Sequence, residues 1–396
     1  MPRLWDKGLP LDERILRFTA GEDHALDERL VPYDVRASVA HARMLAAQGL
    51  LTAEDCAAIC QGLEGLGAEH AAGKWSIELA DEDVHSALER RLTERIGEAG
   101  GRVHLGRSRN DQVLAAMRLY LRDAIAELSA ATSSVEAALE RVAAEQGAIA
   151  LPGYTHMQPA MPSSVALWAR GFAAELADDR AGVQRVLARV DLNPLGSAAG
   201  YGVPNLPLDR EATRAALGFA RNHEPVTAVQ LSRGKAEAAL VFEIALLLGD
   251  LGRLASDLLL FYTSEFAYVS LPAAMTTGSS IMPQKRNPDV FELVRAAQAT
   301  VAGALQETLG IAAKLPSGYH RDLQRLKAPL FRSIDLAADV LVIMAHALPG
   351  VRFRADRIVL APELDAAARA NELVVKEGLP FREAYRRIAA KLKGEE

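Results

Sequence analysis

An apolar seam that advances in alternating steps of three and four residues constrains this chain more than any other feature. It runs from Leu114 through Met117, Leu121, Ala124, Leu128, Ala131, Val135, Ala138 and Val142. A period of 3.5 belongs to a helix packed lengthwise on other helices, and a strand cannot satisfy it. A second seam reads Val241, Ile244, Leu248, Leu251, Ala255, Leu258 and Tyr262, and its flank repeats every seventh residue as Leu240, Leu247, Leu254 and Phe261. A helix apolar on two faces needs more than one neighbour, so it belongs deep in a bundle or at a subunit interface. A third seam covers residues 165–190, broken by Asp179, and a fourth opens after Asn287-Pro288 and continues to about Ala313. As helices of about 25–30 residues these would each be roughly 40 Å long.

Proline- and glycine-rich segments separate the seams: Leu151-Pro152-Gly153, Asn193-Pro194-Leu195-Gly196, Thr276-Thr277-Gly278-Ser279-Ser280 and Leu315-Pro316-Ser317-Gly318. Aromatic residues make up only 5%, which favours helix over sheet. The expected architecture is all-α. Short helices fill an N-terminal domain over residues 1–105, long helices form a central bundle domain over 106–350, and a small helical appendage covers 351–396. No repeat of 20–50 residues is present.

Composition excludes several classes. The charge sum is 45 − 51 = −6 and the pI is about 5.9, which suits neither nucleic acid nor an anionic membrane surface. The most apolar stretch, residues 238–262, carries Glu243, Asp250, Arg253 and Asp257 and does not qualify as a membrane span. Residues 1–6 lack the apolar region of a signal peptide. Cys56 and Cys60 lie four apart in an expected helix with no Cys/His cluster near them. They read as small buried hydrophobes, give no disulfide or zinc framework, and suit a reducing cytoplasm.

Four polar segments carry the chemistry. Gly106-Arg107-Ser108-Arg109-Asn110-Asp111-Gln112 opens the first long helix, where Ser108 or Asn110 can cap the N-terminus and the arginines can fork onto carboxylates. Pro152-Gly153-Tyr154-Thr155-His156-Met157-Gln158-Pro159 holds a histidine in a rigid, non-helical stretch, as a general acid or base requires. In Thr277-Gly278-Ser279-Ser280-Ile281-Met282-Pro283-Gln284-Lys285-Arg286-Asn287-Pro288, small residues make a mobile loop that leads two cations into a helix N-terminus, a natural anion site. A seryl oxygen held among such donors can act as a base, and Glu292, one turn into the helix, can orient a histidine. In Ser317-Gly318-Tyr319-His320-Arg321-Asp322-Leu323-Gln324-Arg325-Leu326-Lys327, the groups of Tyr319, Gln324 and Lys327 can reach one ligand. A solvated helix start, a backbone-bonded histidine or a surface loop satisfies each pattern taken singly. Asp81-Glu82-Asp83 before His85 has a metal cluster's composition, but an acidic helix start accounts for it and no metal is expected. Together the segments describe a site for a multiply anionic small molecule. No nucleotide fingerprint or nucleophile elbow accompanies it, so the expected chemistry is acid–base without a cofactor.

The Thr277–Pro288 segment resembles the signature loop of the aspartase/fumarase superfamily. The Gly106–Gln112 and Pro152–His156 segments resemble the argininosuccinate lyase family within it, as do Leu315–Tyr319, Asp322-Leu323-Gln324 and Asp81–His85. The likeness runs from about Trp5 to Tyr385. It implies a helical homotetramer with each active site shared among three subunits. The implied reaction is the reversible anti elimination of argininosuccinate to arginine and fumarate, the last step of arginine biosynthesis. By motif position Ser279 is the catalytic base, His156 the acid and Glu292 its support. Ser108, Arg109, Asn110, Thr155, Lys285, Asn287, Tyr319, Gln324 and Lys327 line the substrate site. A fumarate-releasing lyase for another N-substituted aspartate, such as adenylosuccinate, and a non-enzymatic protein that has kept the fold are the competing readings.

Three departures accompany the likeness. Phe18-Thr19-Ala20 is followed by Gly21 where the family usually has a small polar residue. A Ser-Glu-Arg-Asp element reads Ser232-Arg233-Gly234-Lys235. The usual Ala-Thr-Asp reads Ala367-Ala368-Arg369, and the chain ends dozens of residues early, implying a reduced C-terminal domain.

Overall fold

The computed structural model describes residues 12–393. Residues 1–6, read above for a signal peptide, lie outside them, as does Trp5, where the family likeness begins. The described chain is helical, with three two-stranded sheets. It separates into two compact units. One takes the chain up to Leu128 with Gly182–Ala245 and Thr300–Asp335; the other takes Ser129–Ala181, Leu246–Ala299 and the chain from Leu336 on.

The seams are helices: Arg109–Gln146, Val165–Arg185, Lys235–Tyr262 and Asp289–Ala312. The third seam outruns its helix, because the chain turns at Val186 before the short Leu187–Val190 helix. A fifth long helix, Lys327–Ala347, was not anticipated. Its seam is legible in retrospect: Leu330, Ile334, Ala337, Leu341 and Met344 step by four and three, and all are buried. Along Lys235–Tyr262, Leu240, Val241, Ile244, Leu247, Leu248, Leu251, Leu254, Ala255 and Leu258 are all fully buried. Both apolar faces therefore find cover within one chain. Phe242 and Leu246, on a third face, stay 47% exposed.

In the first unit, Val31–Ala47 packs on Ala53–Ala71 and Val84–Ile96. Thr52 and Asp83 cap the latter two helices by accepting from the Asp55 and Ser86 amides at 3.0 and 2.9 Å. A small-residue core of Ala37, Ala40 and Ala115, with Leu119, Leu195, Leu217 and Phe219, lets backbones approach closely. In the second unit, Trp168 stacks edge-on against Phe172 and Phe353, and Phe261 lies against Tyr268. The indole Nε1 donates to Asp257 Oδ2 at 2.9 Å. Ala366–Glu377 and Phe381–Lys393 close this unit. They meet through Ala370, Ala384 and Ile388 across a turn in which Gly378 adopts φ +66°. Among the described residues no helix is long and apolar enough to cross a membrane.

Candidate active site

The first unit holds a cavity of about 150 Å³ lined by Asp23, Asp83, His85, Arg109, Asn110, Val113, Arg233, Tyr319, Arg321, Gln324 and Lys327. It brings together five of the expected substrate residues from segments some 200 positions apart. At the start of the Arg109–Gln146 helix, Ser108 is the cap: its Oγ accepts from the Asn110 amide at 3.3 Å, and Asp111 Oδ1 accepts from the Ser108 amide at 3.0 Å. Asp111 Oδ2 also accepts from the Gly196 and Ala198 amides at 3.1 and 2.8 Å, which docks the Pro194–Gly196 turn onto the helix start.

Most charges around the cavity are paired within the chain. Lys327, 3% exposed, donates to Asp27 Oδ1 at 2.6 Å and lies 3.2 Å from Asp23 Oδ2. Arg109 pairs with Asp83, and Arg321 lies 3.3 Å from Glu82. Burial alone would raise the Asp83 carboxyl, but His85 and Arg109 hold it down at about 2. Burial pushes Asp23 up to about 6, although Lys327 opposes this. Gln324 spends its amide N–H groups on the Thr19 and Ala20 carbonyls, both at 3.0 Å, and its Oε1 accepts from Arg321 Nε at 3.1 Å. It thereby fixes the 19–20 backbone at the cavity edge. The Asp81–His85 segment works as a helix start. Asp83 is its cap, Asp81 takes Arg90 at 2.7 Å, and His85 turns Nδ1 to buried Asp34. Among the described residues no Asp/Glu/His/Cys group could hold a metal ion.

Asp23, Asp27 and Asp34 carry no local signal, since Lys327 meets Asp27 across 300 positions, and Arg233 is marked only by the Ser232–Lys235 departure. The cysteine reading holds for Cys60, which is buried, while Cys56 is half-buried.

His156, Ser279 and Glu292 lie in the second unit. The rigid stretch is a β-hairpin, Ala150–Thr155 paired antiparallel with Gln158–Ser164. Thr155 faces Gln158, and the two-residue turn between them is His156-Met157, both exposed. Their φ values are +53° and +60°, the pair of left-handed residues that a tight hairpin turn demands. Tyr154 braces the hairpin through Tyr268, with their hydroxyls 3.3 Å apart.

The serine loop is closed at its base by an antiparallel bridge. Thr277 N donates to Asn287 O at 3.0 Å and Asn287 N to Thr277 O at 2.9 Å. Asn287 Nδ2 donates to the Gly278 carbonyl at 3.2 Å, and Thr277 Oγ1 donates to Asp289. Between these anchors the loop is exposed from Ser280 to Arg286, Lys285 included. Ser279 Oγ accepts from the Met282 and Ile281 amides at 3.2 and 3.4 Å. Glu292 is exposed in the first turn of Asp289–Ala312. Among the described residues, no hydrogen bond or ion pair within the chain joins His156 to Ser279 or Glu292.

A lyase family model matches residues 12–303. An argininosuccinate lyase from Sorangium cellulosum is 49% identical over 98% of this chain and 90% of its own. One from Stenotrophomonas maltophilia is 45% identical with the same two coverages. Among solved structures, a variant of EDDS lyase with bound fumarate superposes with a TM-score of 0.80 at 27% identity, over 98% of this chain and 78% of that one. A class II fumarase from Schistosoma mansoni reaches 0.79 at 18% identity, over 98% and 91%, which speaks for the fold alone. This chain belongs to the argininosuccinate lyase family of the aspartase/fumarase superfamily.

Proposed function

We propose that this protein cleaves argininosuccinate reversibly to arginine and fumarate by anti elimination. The reading is carried by 49% identity to an argininosuccinate lyase over nearly the whole chain, together with a cation-lined cavity in one unit and an exposed histidine and an amide-cradled serine in the other. Ser279, as alkoxide, takes the proton from the succinyl carbon next to a carboxylate. The two amides that already point at its Oγ favour that charge. The electron pair is held as an aci-carboxylate and then forms the fumarate double bond as the C–N bond breaks. His156 gives its proton to the departing guanidino nitrogen, and Glu292 supports the imidazole. Asn110, Thr155, Lys285 and Asn287 hold the succinyl carboxylates and stabilise the added charge of the intermediate. Ser108, Arg109, Tyr319, Gln324 and Lys327 shape the rest of the site, and closure of the serine loop excludes water.

Each of these sets is incomplete by itself, and the exposed stripe at Phe242 and Leu246 is unoccupied within the chain. Both features support a homotetramer whose active sites draw on three subunits. A cytoplasmic location and the closing step of arginine biosynthesis complete the proposal. Fumarate absorbance, followed with argininosuccinate and with adenylosuccinate, tests it. Release from argininosuccinate is expected; release from adenylosuccinate alone would replace the substrate, and release from neither would favour a protein that kept only the fold.

A further inference from the structure

Four cations line the first unit's cavity, and three of them have carboxylate partners within the chain: Arg109 on Asp83, Arg321 on Glu82, and Lys327 on Asp23 and Asp27. Arg233 is the exception among the described residues. Its Nε and Nη1 are sealed from solvent and find no acceptor. Its guanidinium carbon lies 5.7 Å from the centre of the Tyr319 ring, a contact that attracts the charge without accepting from its N–H donors. Glu237, four residues on, accepts from the Gly234 amide at 2.9 Å and makes no ion pair with Arg233. Arg118, the other cation of this neighbourhood, donates to the Leu192 carbonyl, His223 and Ser232 at 2.6, 2.9 and 3.0 Å, so its own donors are satisfied within the chain. The group is half-buried and lines a polar cavity, and with no carboxylate partner among the described residues it is the one cation there whose charge is left for a ligand carboxylate.

Argininosuccinate carries a third carboxylate, on the α-carbon of its arginine end, beyond the two succinyl groups assigned above. We propose that Arg233 is the specificity residue that takes this α-carboxylate. The inference rests on the function proposed above.

Agmatine is the probe, since it is arginine without that carboxylate and keeps both the amine and the guanidinium. Inhibition of fumarate release by L-arginine and by agmatine is measured in wild type and in Arg233→Gln and Arg233→Lys. In wild type, arginine is expected to bind about 10- to 100-fold more tightly than agmatine, the range for one charge-assisted pair. In Arg233→Gln the two should fall within about 3-fold of each other, with the loss on the arginine side and KM for argininosuccinate raised more than kcat is lowered. Arg233→Lys should keep an intermediate ratio, because a point charge replaces the fork. Equal inhibition by both compounds in wild type overturns the proposal without any variant, as does a wild-type ratio that survives in Arg233→Gln. If Arg233→Gln does not fold, the wild-type and Arg233→Lys ratios decide the matter. Absence of argininosuccinate cleavage by wild type overturns the function and this inference together, whereas cleavage with an unmoved ratio overturns this inference alone.

Discussion

The cavity of the first unit and the hairpin and loop of the second are built on opposite principles. Around the cavity, charges are buried and internally paired: Lys327 is 3% exposed between two aspartates, and Asp34, fully buried, holds His85. At the hairpin and loop His156 and Lys285 are exposed and Ser279 is half-buried, and the segments are held by backbone pairing with a few side-chain hydrogen bonds. Cavity-lining groups that are also core ion pairs tie the shape of the cavity to stability. Groups on an exposed turn and loop are free to move and cost the fold little when changed. The difference predicts where a mutation damages the enzyme without unfolding it.

The largest expected effect is on rate. His156→Ala and Ser279→Ala should each cut fumarate release by about 10²- to 10⁴-fold, the usual worth of a proton-transfer group. Urea midpoints should stay near wild type, because neither side chain is buried. A large midpoint shift in either variant would break the comparison.

Lys327→Met should do the reverse. Removing the cation leaves Asp27 and Asp23 buried without it, which costs about 3–5 kcal/mol of stability. Urea unfolding measures this directly, and a stable Lys327→Met would mean that the pair is not a structural element.

The two cavity aspartates should leave opposite marks on pH dependence. Asp83 sits at about 2 in the folded protein, below its ordinary 3.8. It therefore contributes stability that is full above about pH 4 and is lost as pH falls through about 2. Asp23 sits at about 6, so between about pH 4 and 6 the folded state binds more protons than the unfolded one, and stability declines as pH rises through that window. The decline is on the order of 2 kcal/mol. Unfolding measured across pH 2–7 should lose the acid drop in Asp83→Asn and the decline between pH 4 and 6 in Asp23→Asn.

The smallest effect belongs to the turn. Met157 pays about 1–2 kcal/mol for its left-handed backbone, and glycine relieves that while adding up to about 1 kcal/mol of unfolded-state entropy. Met157→Gly should therefore stabilise by no more than about 1 kcal/mol in the same assay. A marked loss of stability would show that the Met157 side chain, 67% exposed, is engaged after all.

Much of the fold was legible because helix packing writes itself into short-range spacing. The alternating steps from Leu114 to Val142 located the Arg109–Gln146 helix, and the Asn287-Pro288 stop located the start of Asp289–Ala312. The Lys327–Ala347 seam was equally regular and was overlooked behind its polar opening. The hairpin was read as rigid and non-helical, yet its pairing depends on two left-handed residues that neither His nor Met advertises. In the site, the motif residues were visible, but their partners were not. Gln324 lines the cavity and also holds the 19–20 backbone, a partnership that its own segment does not encode. Asp23 and Asp27 gave no signal, and Arg233 entered only as a departure from a family pattern.

Sequence alone determined that four long helices exist, roughly where each begins, and the family, since each depends on residues within a turn or two of one another or on motifs kept in order. The tertiary structure decided which charges are spent on the fold and which remain for a ligand, because ion pairing depends on distances between residues up to 300 positions apart that no local spacing encodes.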